Sequence, residues 1–293
     1  MKKIIITGAS GLIGNSLLDF FSRENFDLIA LYNSSQPVIA SNEKIKLCHI
    51  DIVNEDLTQF NDFKADCLIH CAAIIPTSFD KENLDFAANS NKIIDENIIS
   101  FCKINNIKLI YFSSVSIYEN NAIPFKETDY VFPANAYSIE KLNTELNIAR
   151  KLNDYLIFRI SSPYGKFQKN KNVLKIFVDN VISDKNIDLY NNGTRHQDFI
   201  HVTDINHATL KAIYACKLNS VINLAYGQTI SMLELAETIL SLKINSSSKI
   251  VISGKKDAFP DYNPMIDISK ALALLDWKPL IDIRTGLKDF FIK

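Results

Sequence analysis

"KKIIITGASGLIG", residues 2–14, is the stretch on which the rest of the chain turns. Residues 2–8 hold an apolar run of strand length, too short for a helix. Gly8, Gly11 and Gly14 follow, three of the chain's eight glycines. Apolar residues then recur at 13, 17, 18, 20 and 21, one face of a helix over 12–25. A strand, a Gly-rich turn and a helix in that order make a phosphate-binding βα unit. Glycine gives the turn positive φ and lets the backbone approach a ligand closely. The free N–H groups of the helix start then face negative charge. Gly8, Ser10, Gly11, Leu12, Ile13 and Gly14 are therefore expected to cradle the pyrophosphate of a dinucleotide. The spacing is GxxGxxG rather than GxGxxG, and a purely structural turn is the alternative reading.

Further strands are expected at 27–32, 46–51, 65–73, 107–114, 155–162 and 220–226. Helical patterns fall at 87–105, 135–153, 171–182, 201–217 and 231–243, the last behind a Ser N-cap. Ile93, Ile94, Ile98 and Ile99 read as the buried face of the helix over 87–105. Alternation of this kind predicts an α/β fold: a doubly wound parallel sheet, Rossmann-like, with a smaller C-terminal substrate-binding lobe. Residues 1–163 are assigned to the dinucleotide-binding domain, with return segments near 199–226. Residues 164–198 and 227–293 are assigned to the lobe.

Composition narrows the class. A formal net charge of −1 in 293 residues leaves no general basic footprint, so nucleic acid is not an expected partner. The apolar runs are of strand length, so no membrane association is expected. "MKKIIITGAS" reads as a first strand rather than a leader. The five cysteines form no CxxC pair and the five histidines no HxxxH pair. Reduced thiols, a cytoplasmic location and no metal are the expectation.

Cofactor choice is set after the second strand, where an acid binds the ribose 2′-OH of NAD and an Arg accepts the 2′-phosphate of NADP. Here Tyr32 and Asn33 stand there, followed by Ser34 and Ser35. NAD and NADP both stay open, with a lean to NADP because no carboxylate repels a phosphate. Asp51, after the third strand, is placed to reach the adenine amino group; a solvated strand end is the alternative.

"AYSIEK", residues 136–141, puts Tyr137 and Lys141 at i and i+4, on one helix face. In a chain with 11 Tyr the spacing alone means little. Its context means more: "YFSSVSIYE" closes the preceding strand at its carboxyl end, where ligands bind in open α/β sheets. A phenol is a poor base at neutral pH. A neighbouring ammonium and an oxidised nicotinamide favour the phenolate. Ser114 is placed to hydrogen-bond the same substrate oxygen. This set suits hydride transfer at a carbinol carbon, with Tyr137 moving the proton.

With these motifs together, the chain resembles the extended short-chain dehydrogenase/reductases, the NAD(P)-dependent nucleotide-sugar epimerases, dehydratases and reductases. The resemblance runs nearly end to end, on "TGASGLIG", "DI" (Asp51, Ile52), "HCAA" (ending in Ala72 and Ala73), "SSVSIYE", "YSIEK", "SSPYG", "RHQDFIHVTDI" and "DISKALALLDWKP". It implies Tyr137 as acid/base, with Lys141 on the nicotinamide ribose. Ser114 is the catalytic serine and Asn89 an asparagine near the active site. Ile52, Ala72 and Ala73 fall in the cofactor site, Ser116 and Ser162 on the substrate side. A homodimer through the helices near 90–105 and 136–152 is also implied.

Dehydratases of the family carry an acidic pair directly after the serine. Val115 and Ser116 stand there in this chain, so dehydration is not expected. What remains is 4-epimerisation of a nucleotide sugar through a transient 4-keto sugar, or NADPH-dependent reduction of a 4-keto sugar or other carbonyl. A third reading is a non-catalytic NAD(P)-binding protein. The family commonly has Arg before the "DF" of the late loop; here Gln197 stands there. Arg195 is the candidate replacement for gripping a diphosphate, a solvated turn residue being the alternative.

Overall fold

The computed structural model describes residues 1–78, 80–118, 123–257 and 262–291. Glu119, the last residue of "SSVSIYE", lies outside them, as do parts of the closing segment. In chain order the elements are β1 (Lys2–Thr7), α1 (Leu12–Phe21), β2 (Phe26–Tyr32), β3 (Ile45–His49), β4 (Cys67–His70), α2 (Lys81–Asn105) and β5 (Lys108–Ser114). Then come α3 (Ala136–Lys151), β6 (Tyr155–Ile160), β7 (Ser162–Tyr164), α4 (Val173–Ile182), β8 (Ile187–Leu189), β9 (His196–His201) and α5 (Val202–Tyr214). The chain closes with β10 (Ser220–Leu224), β11 (Thr229–Ser231), α6 (Met232–Leu242), β12 (Ile250–Ile252), α7 (Ser269–Leu275) and α8 (Ile283–Leu287).

Seven strands form one parallel sheet in the order β10-β6-β5-β4-β1-β2-β3. Its central strands are apolar on both faces, as a sheet covered on both sides requires. In β1, Ile4 and Ile6 enter one core and Ile5 the other. In β5, Ile110 and Phe112 enter the first, Leu109 and Tyr111 the second. The first core is closed by α1 and α5, through Leu17, Leu18, Phe21, Ile205 and Ala208. The second is closed by α2 and α3, through Ile94, Ile98, Ile99 and Ile148. A separate core joins α4, α6 and the short strands around Tyr164, Leu174, Phe177, Phe199 and Leu235. Two small sheets border it, β11-β9-β7 and β12-β8.

Three details differ from the sequence-based expectation. Helix α2 begins at Lys81, not near 87, because the Asp80 side chain caps it by accepting from the Asn83 amide at 2.9 Å. Ile93 is 43% exposed; the buried face of α2 runs through Ala87, Asn91, Ile94, Asp95, Ile98 and Cys102. The closing segment is divided. Leu287 packs in the small core, while Ala271, Leu275 and Trp277 pack against the large sheet. Trp277 Nε1 donates to the Asp204 carbonyl at 3.0 Å, and the Asp204 carboxylate accepts from the Leu280 and Ile281 amides.

Helix α3 starts at Asn135, whose Oδ1 accepts from the Ser138 amide at 3.0 Å. This cap fixes the first turn, which carries Tyr137. Asn135→Ala is expected to cost about 1 kcal/mol, read as a Tm lower by about 3 °C, with a smaller loss of activity than any change at Tyr137 itself. Among the described residues no helix is long and apolar enough to cross a membrane.

Candidate active site

The strand order reverses between β1 and β4, so the chain leaves their carboxyl ends in opposite directions and opens a crevice there. Gly8 follows β1; Cys71 and Ala72 follow β4. Gly8 sits at φ +61°, and a Cβ on it would lie 2.6 Å from the Ala72 nitrogen. A Cβ on Gly14 would lie 2.2 Å from the Gly8 carbonyl oxygen, so turn and helix meet backbone to backbone. The Gly11 amide donates to the Gly8 carbonyl at 2.9 Å. Helix α1 starts on Gly11 with no side-chain cap and no acid in its first turn. Its leading N–H groups are thereby left for an anion, which is the fit a cofactor pyrophosphate needs. Asn15, which sequence reasoning missed, pins the turn: its Nδ2 donates to the Ser10 carbonyl at 2.7 Å, and its Oδ1 accepts from the Val38 amide at 2.8 Å. A polar residue inside an apolar helix face was the available signal.

Over this turn lies a cavity of about 450 Å³. Gly8, Ser10, Gly11 and Leu12 form its floor, with Tyr32 at the end of β2 and Asn33 after it, Asp51 and Ile52 after β3, and Ala72 and Ala73 after β4. Ile13 and Gly14 stand in the first turn of α1, Gly14 buried against Gly8. Ser34 and Ser35 also face the cavity, as do Lys169 and Asn170 from the loop after β7, which the sequence pattern did not flag. Asp51 is engaged locally: its carboxylate accepts from the Val53 amide at 3.1 Å and Asn54 Nδ2 at 2.8 Å. The Tyr32 hydroxyl accepts from Gln36, and its ring packs edge-on against His49.

Ser114 ends β5, and its Oγ accepts from the Ser116 amide at 3.1 Å. The Ser116 Oγ is buried, with no hydrogen-bond partner among the described residues. Tyr137 is half-buried in the first turn of α3, and Lys141 one turn on is 3% exposed. Lys141 Nζ donates to the Tyr111 hydroxyl at 2.9 Å and to the Phe112 carbonyl at 3.4 Å. Burial pushes the Tyr137 phenol well above its ordinary range, and the Asp95 carboxylate adds to this. Burial also lowers Lys141, against the opposing pull of Asp95, Glu145 and Glu140.

Asn89 is not brought to the cavity. It lies on the exposed side of α2, because the buried face runs through Asn91. Asn91 Nδ2 donates to the Ile74 carbonyl at 2.9 Å and its Oδ1 accepts from the Ile74 amide at 2.7 Å. Asn91 thus holds the segment that follows Ala72 and Ala73. On the substrate side, Ser162 begins β7 and its Oγ accepts from Gln197 Nε2 of neighbouring β9. Arg195 precedes β9; its guanidinium pairs with Asp257, Nε to Oδ2 at 3.2 Å, and lies 3.6 Å from the Met232 sulfur. Gln197 rather than Arg195 is therefore the side chain beside Ser162.

The chain is similar to known proteins over most of its length. Residues 4–225 match the model of the NAD dependent epimerase/dehydratase family. A putative UDP-glucose 4-epimerase from Methanocaldococcus jannaschii is 29% identical, over 97% of this chain and 96% of that protein. A dTDP-4-dehydro-6-deoxyglucose reductase from Escherichia coli is 26% identical, over 97% and 95%. The fold is shared with the UDP-glucose 4-epimerase of Thermotoga maritima, solved with UDP-glucose: TM-score 0.88, 21% identity, 98% and 97% coverage. The chain belongs to the NAD-dependent epimerase/dehydratase family.

Proposed function

We propose that the protein is a nucleotide-sugar 4-epimerase that keeps its NAD and works through a transient 4-keto sugar. The observation that carries this is two places in one fold: a cavity over the Gly8–Gly14 turn, and, outside its lining, Tyr137 with Lys141 on α3 and Ser114 at the carboxyl end of β5. The bound cofactor supplies a reversible hydride acceptor at the sugar's C4. The protein does the rest. Tyr137 takes the C4 hydroxyl proton and returns it, Ser114 orients the same oxygen, and Lys141 would hold the nicotinamide ribose and favour the phenolate. Val115 and Ser116 offer no carboxylate for removing water.

NAD is the expected resident cofactor of an epimerase. One observation favours the reductase alternative: Tyr32, Asn33, Ser34 and Ser35 bring hydroxyls and an amide, and no carboxylate, to the cavity wall, which tolerates a 2′-phosphate. The two readings separate in one assay. An epimerase inverts C4 of a UDP-hexose, seen by NMR, with no added cofactor and no net oxidation. A reductase leaves UDP-hexoses unchanged and consumes NADPH with a 4-keto sugar.

A homodimer through α2 and α3 belongs to the same proposal. These helices expose Phe86, Ile93, Ile104, Ile139 and Leu146, each more than 40% accessible, an apolar load in keeping with a protein partner. Sedimentation of the purified protein as a dimer is the expected result.

A further inference from the structure

Lys141 is the end of a buried hydrogen-bonded run. The Tyr111 hydroxyl that accepts from its ammonium donates onward to Asp95 Oδ2 at 2.8 Å. Thr144, one turn after Lys141 on α3, donates to the same oxygen at 2.8 Å. Asp95 Oδ1 lies 2.9 Å from His70 Nε2. His70 Nδ1 lies 2.6 Å from the Thr7 hydroxyl, which accepts from the Ala72 amide. One tautomer satisfies every contact: Thr7 donates to Nδ1, and Nε2–H donates to Asp95. Asp95, His70, Tyr111, Thr144 and Lys141 are all 3% exposed or less.

A carboxylate in such a place is costly unless fully paired. Asp95 sits between Ile94 and Ile98 on the buried face of α2, where an apolar side chain would serve packing alone. We propose that Asp95 is a positioning residue for the Tyr137–Lys141 pair: through Tyr111 it fixes the Lys141 ammonium and supplies its buried counter-charge. The role rests on that pair being the catalytic one. The same carboxylate ties α3, β5 and β4 to the backbone beside the cofactor turn. The run ends on the Ala72 amide at the cavity wall, a group that does not relay protons as a titratable side chain does, so it is a brace.

Among the described residues, these charges face the pair. From α3, Glu140 and Glu145 face Lys141, but Glu145 is committed to Arg159 of β6 at 2.7 Å. Lys92 and Glu96 of α2 face Glu140. Burial works against the charged form of Asp95, yet Lys141, His70 and Tyr111 hold it below the ordinary carboxylate range. Asp95 in turn raises Lys141 and Tyr137. Removing its charge lowers both groups, so both limbs of a pH profile move to lower pH.

The test compares the wild type with Asp95→Asn and Tyr111→Phe. In kcat against pH, Asp95→Asn is expected to shift both limbs down by about one unit and to lower kcat at pH 9 by roughly tenfold, with the sugar KM within about twofold. Tyr111→Phe keeps the charge and cuts the link, so it lowers kcat several-fold with the limbs in place. NADH binding, followed by its fluorescence, needs no sugar: Asp95→Asn is expected to lose affinity at a lower pH than the wild type. A merely structural Asp95 predicts limbs and NADH curves that superimpose on the wild type, and that result overturns the proposal. If Asp95→Asn gives no cooperative melt, Tyr111→Phe decides, and a wild-type kcat there overturns it. A wild type that binds NADH and turns over no nucleotide sugar contradicts the functional reading, while the NADH titrations still decide on Asp95.

Discussion

Tyr137→Phe is expected to lower turnover by about 100-fold or more while NAD(H) affinity stays within about twofold. Phenylalanine keeps the ring that packs in the first turn of α3 and removes only the hydroxyl that moves the proton. The structure sharpens the expectation. Burial and Asp95 hold the Tyr137 phenol protonated, so its use as a base depends on cations brought close to it. Moving a phenol from its ordinary pKa near 10 to 7 takes about 4 kcal/mol, and the raised starting point of Tyr137 adds to that. The buried Lys141 and, when the cofactor is bound, an oxidised nicotinamide would supply cations on that scale. Turnover should therefore rise with pH on the acid side, as the phenolate forms, and the rise should vanish in Tyr137→Phe. Turnover and isothermal titration with NADH, run on the same preparation, check both halves. A variant within about threefold of wild-type turnover would remove Tyr137 from the mechanism.

Gly14→Ala should destabilise the protein by about 3 kcal/mol or more, with Tm lower by roughly 10 °C and cofactor binding lost. The sign is not the usual one. Alanine in a helix is ordinarily better than glycine by about 1 kcal/mol, and Gly14 lies inside α1. The deciding fact is the Gly8 carbonyl 2.2 Å from where the new Cβ would sit, a backbone atom that cannot swing aside. The turn must open, and the N–H groups it aims at the cavity move with it. Gly254→Ala is the matched control. Gly254 has φ +69° but, among the described residues, nothing within 4 Å of an added Cβ, so it should show only the left-handed backbone cost of about 1 kcal/mol and normal cofactor binding. Equal effects from the two substitutions would contradict the close-approach account of the turn.

The sheet was legible in the sequence because parallel strands buried on both faces read as short apolar runs, and each run was bounded by a turn or a helix pattern. The Gly8–Gly14 turn was legible because its glycines are concentrated where backbone must meet backbone. Asn89 was misplaced because two asparagines lie close together on α2, and only the packing of Ile94, Ile98 and Cys102 shows that Asn91 faces inward. Ile93 went astray on the same helix for the same reason. Asp95 was invisible: a carboxylate among isoleucines carries no periodic signal, and its partners His70, Tyr111 and Thr144 come from three other elements. The division of the closing segment was equally hidden, since Ala271, Leu275 and Trp277 are apolar enough for either core.

The most direct test of the central claim is made on freshly purified protein: denature it and identify by mass any nicotinamide cofactor released. The account predicts NAD at close to one per chain, a cofactor that stays with the protein through turnover. A protein that releases none, and that binds NADPH more tightly than NADH, would contradict it and make the chain a reductase that consumes its cofactor.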